Sequence, residues 1–380
     1  MSASLRWAWA EIDLDAIDHN VRLLRERFEP AALWAVVKAD GYGHGATDVA
    51  RTAMAAGAEG LCVAFVHEGI ELRRAGVDAP ILVLTEQPPE TAPHIIEHRL
   101  TPTVYQRPFL DALVAAEPVG LPVHLKIDTG MQRVGTHPHA APSLADAIVQ
   151  RAPAVRLAGV FTHLAVADAD DEDSVDFTDQ QLETFAKTLA LLPPVPAIHA
   201  ANSAGGLSRA DARLSFVRAG IAMYGISPGP GVDHLCDGLR PAMELRARIG
   251  HVKQVRAGSR VSYGLRHRFD RDTTVATIPI GYADGVPRRL SSVGGEVLIG
   301  GRRRPIVGVV TMDQLVVDCG DDNVRVGDDV TLIGTQEGPD GTTERIRAED
   351  WAAALDTIGY EIVCGVSKRI GRVPRRSIDN

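Results

Sequence analysis

Eight short apolar strands alternate with amphipathic segments across roughly the first 230 residues, and no other feature limits the fold so strongly. In order they read WAVVK, LCVAFV, PILVLT, LTPTVY, VHLKID, LAGVFTHL, AIHAAN and FVRAGI. The stretches between them, such as ATDVARTAMAAG and DQQLETFAKTLALL, read as amphipathic helices. Eight strand–helix alternations predict a (β/α)8 barrel.

The rhythm stops at SPGPGVDHLCDGLRP, and its Gly- and Pro-rich stretch from Ser227 to Leu239 reads as a linker. Beyond it strands are short and Gly and Asp turns are frequent: GGEVLIGG, IVGVVTMDQLVVDCG, RVGDDVTLIG. This predicts an antiparallel, mainly-β domain interrupted by one helix, AEDWAAALDTIG. The expected division is a barrel over 8–235 and a mainly-β domain over 236–380. An N-terminal strand, AWAEIDL within about residues 1–14, precedes the barrel and is placed to pair with the β domain. A chain of 380 residues can bury two such cores.

Composition removes several function classes. Forty Lys and Arg against 49 Asp and Glu give a net charge of -9, unlike a basic nucleic-acid binder. Cys62, Cys236, Cys319 and Cys364 are scattered and form no CxxC pair. That argues against a zinc ribbon or redox motif and for a reducing compartment. No apolar run reaches the ~18 residues of a membrane span. The start, MSASLRWAWAEIDL, has no signal-peptide core, so the cytoplasm is the expected location.

Active sites of (β/α)8 barrels lie at the C-terminal ends of the strands. AVVKADGYGHG runs from Ala35 to Gly45, from a buried strand into a glycine-rich turn, and Lys38 stands at the break beside Tyr42 and His44. Lysine is rarely placed at the end of an apolar strand only to face water. Lys126 and Asp128 end the fifth strand and His163 the sixth. His199, Asn202 and Ser203 follow the start of the seventh, and Arg218, Gly220 and Ile221 close the eighth. Any one of these could be a satisfied polar group; five strand ends sharing a polar cluster point to a common site. Asn202, Ser203 and the turn at 218–221 can offer N–H groups and a hydroxyl, and phosphate sites after the last two strands recur in barrels. A strand-end lysine facing such a site suggests a Schiff base with pyridoxal phosphate. Aldolases also combine a barrel lysine with a phosphate site, so the residues alone leave both readings open.

The ordered motifs go further. AVVKADGYGHG, LKIDTGMQRVG, HAANSAG, FVRAGIAMYG, VSYGLRHRF, IPIGYADGVPR, VTMDQL and TIGYEIVC followed by RVPR together resemble the alanine racemases, fold-type III pyridoxal-phosphate enzymes. The resemblance spans nearly the whole chain. It implies a barrel followed by a β domain, a head-to-tail homodimer with shared active sites, and interconversion of L- and D-alanine to supply D-alanine for peptidoglycan. It implies that Lys38 holds the cofactor and moves protons on one face of the substrate α-carbon, and that Tyr263 acts on the opposite face. Two acid/base groups racemise without rotating the intermediate. His163 and Arg218 are the implied network that favours the Tyr263 phenolate.

Arg218 is implied to face the pyridine nitrogen, where many such enzymes put a carboxylate. Arginine stays charged and cannot accept that proton, which weakens the ring as an electron sink and suppresses transamination. Lys126 is implied to be an N6-carboxylysine, formed with CO2 and able to hold Arg133 near the cofactor phenolic oxygen; the plainer reading is a lysine paired with Asp128. Tyr42, Asn202, Ser203, Gly220, Ile221 and Tyr360 are the remaining implied cofactor ligands, the phosphate foremost. Arg133, Met312, Asp313 and Tyr282 are implied on the substrate side, the Met312 N–H suiting a carboxylate. Tyr282 and Tyr360 would narrow the entrance to a small amino acid. Thr311 stands where many relatives have cysteine, and Gln132 and Gly359 occupy variable positions. Thr311 and Gly359 lie near substrate-facing positions and bear on fine specificity, not on the reaction type.

Other motifs carry less. His44 reads either as a turn cap or as a site residue. HIIEH, His94 to His98, matches a zinc-peptidase pattern but sits between the third and fourth barrel strands with no clear further ligand, and no metal is expected. GYGHG lacks the dinucleotide spacing, and GRRRP (Gly301 to Pro305) reads as a solvated hairpin. The rival functions are a racemase of serine or another small amino acid, a decarboxylase of the same barrel class, and a non-catalytic pyridoxal-phosphate-binding protein. Arg218 argues against the second; Tyr263 and the β domain argue against the third.

Overall fold

Apolar runs become parallel strands when both faces are covered, and in the barrel helices cover the outside while side chains fill the inside. The structure, a computed structural model, describes residues 6–376. The ends of the expected domains and of the N-terminal strand, residues 1–5 and 377–380, lie outside the described residues. The first strand is β1 (Ala8–Asp13). Eight more follow: β2 (Ala32–Val36), β3 (Gly60–Val63), β4 (Ile81–Val83), β5 (Thr101–Val104), β6 (Leu121–Lys126), β7 (Val155–Phe161), β8 (Ala197–His199) and β9 (Phe216–Ala219). They are parallel and pair in chain order from β2 to β8, and β9 returns beside β2 with Ala32 opposite Phe216. Between β8 and β9 the ring is bridged by the Ser215 N–H to the Ile198 carbonyl at 2.9 Å and the Arg218 N–H to Ala201 at 3.1 Å. This is the barrel expected from the alternation, strand for strand. The covering helices are amphipathic: in Leu14–Phe28 the stripe Ile17, Val21, Leu24 and Phe28 is fully buried.

The chain divides into two units, residues 16–240 and residues up to Asp15 together with those from Pro241 onward. The second unit holds β10 (Met243–Arg248), β11 (His251–Val255), β12 (Arg260–Val261), β13 (His267–Arg268), β14 (Thr273–Ile278), β15 (Glu296–Ile299), β16 (Arg302–Val307), β17 (Leu315–Gly320), β18 (Asp329–Glu337), β19 (Thr343–Ile346) and β20 (Gly371–Arg375). Its large sheet runs β11-β14-β17-β16-β15-β18-β10-β1-β20, with β19 on β18. Pairing is antiparallel except between β1 and β20, so the strand that opens the chain lies between β10 and β20. The short β12–β13 hairpin stands apart from that sheet, and its Val261 packs on a core of Phe269, Val275 and Val307. The one expected helix is two, Ala348–Leu355 and Gly359–Gly365, because Asp356 turns left-handed (φ 59°) and stops the first. Among the described residues no helix is long and apolar enough to cross a membrane.

Candidate active site

The segment after β2 is not an ordinary glycine turn. Ala39, Asp40, Gly41, Tyr42 and Gly43 all have φ between 51° and 80°, one turn of left-handed helix. Three of the five are not glycine, and left-handed backbone costs roughly 1–2 kcal/mol at each such residue. Local hydrogen bonds offset that cost. The Glu68 Oε1 accepts the Ala39 N–H at 2.7 Å while its Oε2 accepts the N–H groups of Ala64 (2.7 Å) and Phe65 (3.0 Å). The Asp40 Oδ1 accepts the Ala46 N–H at 3.0 Å. His44 Nδ1 donates to the carbonyls of Tyr42 (2.9 Å) and Gly41 (3.1 Å), so its turn-capping reading holds. A left-handed turn, like a right-handed one, brings residues four apart together. The Lys38 Nζ lies 5.9 Å from the Tyr42 ring centroid.

Tyr42 in turn lies against the end of β9. A methyl group on Gly220 would come within 2.6 Å of the Tyr42 Oη, so any larger residue there would displace the Tyr42 ring. The Gly220 N–H donates to the Ser203 Oγ at 2.8 Å. That N–H is therefore spent within the fold, and the Ser203 hydroxyl keeps its own proton to donate. Asn202 caps the helix Ser203–Ser208 by accepting the Gly205 N–H at 2.9 Å.

Arg218 is 2% exposed and lies in the barrel interior. One Nη reaches His199 Nδ1 at 2.7 Å; the other reaches His163 Nδ1 at 3.0 Å and the carbonyls of Ala200 (2.8 Å) and Thr162 (2.9 Å). Among the described residues no carboxylate pairs with it. Burial lowers its pKa to about 10, which leaves it charged at neutral pH. Burial, then the Arg218 charge, push His163 and His199 well below the ordinary histidine value, so both are neutral. An imidazole nitrogen that receives a guanidinium N–H must be bare; the proton of each ring therefore sits on Nε2.

Lys126 ends β6, buried. Its pKa is pushed down to about 7, first by burial, then by Arg218 and Arg133 against a weaker pull from Asp128. Asp128 is occupied with its own loop, its Oδ1 accepting the N–H groups of Gly130 (3.0 Å) and Gln132 (3.1 Å). Arg133 is exposed on that loop.

The second unit carries the remaining candidates, and most of them face solvent. Tyr263 is 75% exposed at the tip of the β12–β13 hairpin, where Ser262 (φ 63°) bonds the Val309 carbonyl at 2.7 Å. Tyr282 and Met312 are also exposed, on two loops tied by Tyr282 N–H to Thr311 O (2.9 Å) and Ala283 N–H to Met312 O (3.0 Å). Asp313 pairs with Arg369 at 2.7 Å. Tyr360 lies at the start of the helix Gly359–Gly365. The barrel unit thus gathers Lys38, Tyr42, Gly220 and Ser203 through stated contacts, and Arg218 with His163 and His199 through another set, while Tyr263 and Tyr360 stand on separate elements of the second unit.

Two family models match, "Alanine racemase, N-terminal domain" over residues 12–228 and "Alanine racemase, C-terminal domain" over residues 242–374. The chain belongs to the alanine racemase family. It is 46% identical over 376 residues to the alanine racemase of Symbiobacterium thermophilum, covering 97% of each chain. It is 45% identical over 377 residues to that of Thermobifida fusca, covering 97% of this chain and 98% of that one. The solved alanine racemase of E. faecalis superposes with a TM-score of 0.91 at 37% identity, over 98% of this chain and 99% of that one. That of Bacillus anthracis with bound L-Ala-P gives 0.91 at 38%, over 99% and 97%.

Within this family frame several residues escape sequence reasoning. Glu68 leaves a trace, standing three residues after Phe65 where a carboxylate caps a helix start. His124 leaves another: it precedes Lys126 by two on β6 and so shares its face. Asp284, fully buried, accepts Arg6 through both oxygens (2.6 and 2.5 Å) and the Gly281 N–H (2.9 Å), which anchors the Tyr282 loop; nothing local in the sequence marks it. The HIIEH histidines lie 3.7 Å (His94) and 3.9 Å (His98) from the Glu97 carboxylate, and no metal-binding cluster occurs among the described residues.

Proposed function

We propose that this protein is a pyridoxal-phosphate-dependent racemase that interconverts L- and D-alanine, acting in the cytoplasm as a homodimer with shared sites and supplying D-alanine for peptidoglycan. The observation that carries the reading is Arg218: a buried cation at the end of the last barrel strand, held by imidazoles and carbonyls and, among the described residues, by no carboxylate. A cation facing a pyridine nitrogen leaves that nitrogen unprotonated, which favours return of the proton to the substrate carbon over its transfer elsewhere. The decarboxylase alternative calls for an acid at that position.

The donor set suits the cofactor. Arg218, Arg133 and Lys38 each lower the proton affinity of Lys126 against the opposing pull of Asp128, and with Lys126 they lower that of His163, so the cluster favours a polyanionic guest. When bound, pyridoxal phosphate supplies an electron sink for the carbanion at the substrate α-carbon. Lys38 would hold it and move the α-proton of the D-isomer. Tyr42, Ser203, Gly220 and Ile221 would surround the phosphate, joined by Tyr360, with Asn202 holding the Ser203 helix start. With its Nδ1 taken by Arg218, His163 keeps an Nε2–H and no free lone pair, so it would steady a Tyr263 phenolate rather than take its proton. Tyr263 would move the α-proton of the L-isomer, and its exposure on one chain supports completion of the site by a second copy. Met312, Asp313 and Arg133 would meet the substrate, with Tyr282 at the entrance.

Lys126 is proposed as an N6-carboxylysine: its neutral amine adds to CO2, a carbamate forms and a proton leaves. The change turns one of four cations into an anion and gives Arg133 a partner.

A panel of L-amino acids, assayed for the D-product with pyridoxal phosphate present, tests the function. Alanine should be converted fastest. Faster conversion of serine would move the substrate, and no D-product from any of them would leave the non-catalytic alternative.

A further inference from the structure

One layer below Arg218 the barrel holds a residue that the proposed reaction does not use. His124 is buried on β6, and its Nδ1 lies 3.0 Å from His199 Nε2. His199 Nδ1 receives Arg218 at 2.7 Å, so the His199 proton is on Nε2 and points at His124. His124 Nδ1 must then be bare, with its proton on Nε2. The three groups form a one-way chain in which the arginine donates to His199 and His199 donates to His124.

The fold holds this chain tightly. His199 is stacked between Phe161 (centroids 4.6 Å, 8°) and Phe216 (4.1 Å, 25°), which leaves its ring no tilt. Phe216 stacks in turn on Trp34 at 4.5 Å. The His124 ring occupies a notch over Gly159, where a methyl group would come within 2.5 Å of ring atoms. Burial and the Arg218 charge keep His124 neutral.

We propose that His124 is a positioning residue: by accepting the His199 Nε2–H it locks His199 in the tautomer whose bare Nδ1 receives Arg218, and so fixes the guanidinium. Without that acceptor, moving the His199 proton to Nδ1 would set it against an arginine N–H, and leaving it on Nε2 would bury an unmet donor. The consequence for the reaction rests on the proposed cofactor reading; the lock itself belongs to the chain.

Long-range proton–nitrogen correlation on protein carrying nitrogen-15 histidine reads the tautomers directly, with the protein as purified. His199 should show a protonated Nε2 and a bare Nδ1; a protonated Nδ1 overturns the proposal, whatever the variants do. His124→Leu nearly preserves volume and removes the lone pair, whereas His124→Asn is smaller but keeps an acceptor near the Nδ1 position. The Leu variant should lose the single His199 tautomer and about tenfold in kcat, a typical effect of an unmet buried donor, with KM less changed. The Asn variant should keep the tautomer and retain more activity than Leu. Gly159→Ala, which displaces the ring without altering it, should resemble Leu. A space-filling role predicts the reverse order, Leu above Asn, and that order would overturn the lock. If no pyridoxal phosphate binds yet the tautomers are as stated, the lock stands and the functional reading falls.

Discussion

The barrel and the β unit present their candidate residues in opposite ways. Arg218 is buried with both of its terminal nitrogens hydrogen-bonded, and His163, His199 and Lys126 are forced away from their ordinary proton affinities. Tyr263, Met312 and Tyr282 sit on loop tips with exposed rings or side chains. Burial with fixed partners sets charge and orientation before a ligand arrives, which is what a cofactor site requires. An exposed tyrosine has no such setting. On the proposed reading, one unit holds a preorganised half-site, and the other offers groups whose setting a second copy would supply.

The largest test of this contrast is Lys38→Ala. It should lower racemase activity by about 10⁴-fold, the upper range for losing an acid/base group, and abolish borohydride fixation of the cofactor. Fixation persisting on Lys126 would move the half-site's centre. Tyr263→Phe should slow solvent exchange into L-alanine far more than into D-alanine; equal slowing would remove the two-base reading. Mixing the Lys38→Ala and Tyr263→Phe proteins sharpens the point. Hybrid dimers with shared sites carry one intact site, so each should recover about half of full activity. No recovery from demonstrated hybrids would mean that both residues act from one chain.

A smaller effect is expected at Glu68. Glu68→Ala leaves three N–H groups without their acceptor, two of which water can reach, so it should cost about 1–2 kcal/mol in stability. Activity should fall about tenfold as the left-handed turn loosens. Unchanged activity at reduced stability would make Glu68 a helix cap alone.

The smallest is at Lys126. The carbamate needs a neutral amine, so bicarbonate should raise activity a few-fold above pH about 7 and not below it, and Lys126→Arg should erase the dependence. In the uncarbamylated protein folding lowers this lysine from 10.5 to about 7. The folded chain then binds fewer protons than the unfolded one between those values. Stability should rise with pH through that window and gain nothing more from Lys126 above it.

By itself the sequence determined the barrel strands, because each is a short run apolar enough to be buried and each is followed by a helix of clear periodicity. It also determined which strand ends carry polar residues, since polarity at the end of an apolar run is a local signal. The left-handed turn at 39–43 was not legible: Ala39 and Tyr42 disfavour that backbone, and it exists because Glu68, 29 residues on, receives the Ala39 N–H. The helix break at Asp356 is of the same kind, a non-glycine residue held left-handed by its surroundings. The chain from Arg218 through His199 to His124 links residues 19 and 75 positions apart. Only the closure of the barrel brings them within hydrogen-bond distance, and only that closure excludes the water that would otherwise leave the protons of the two rings unassigned.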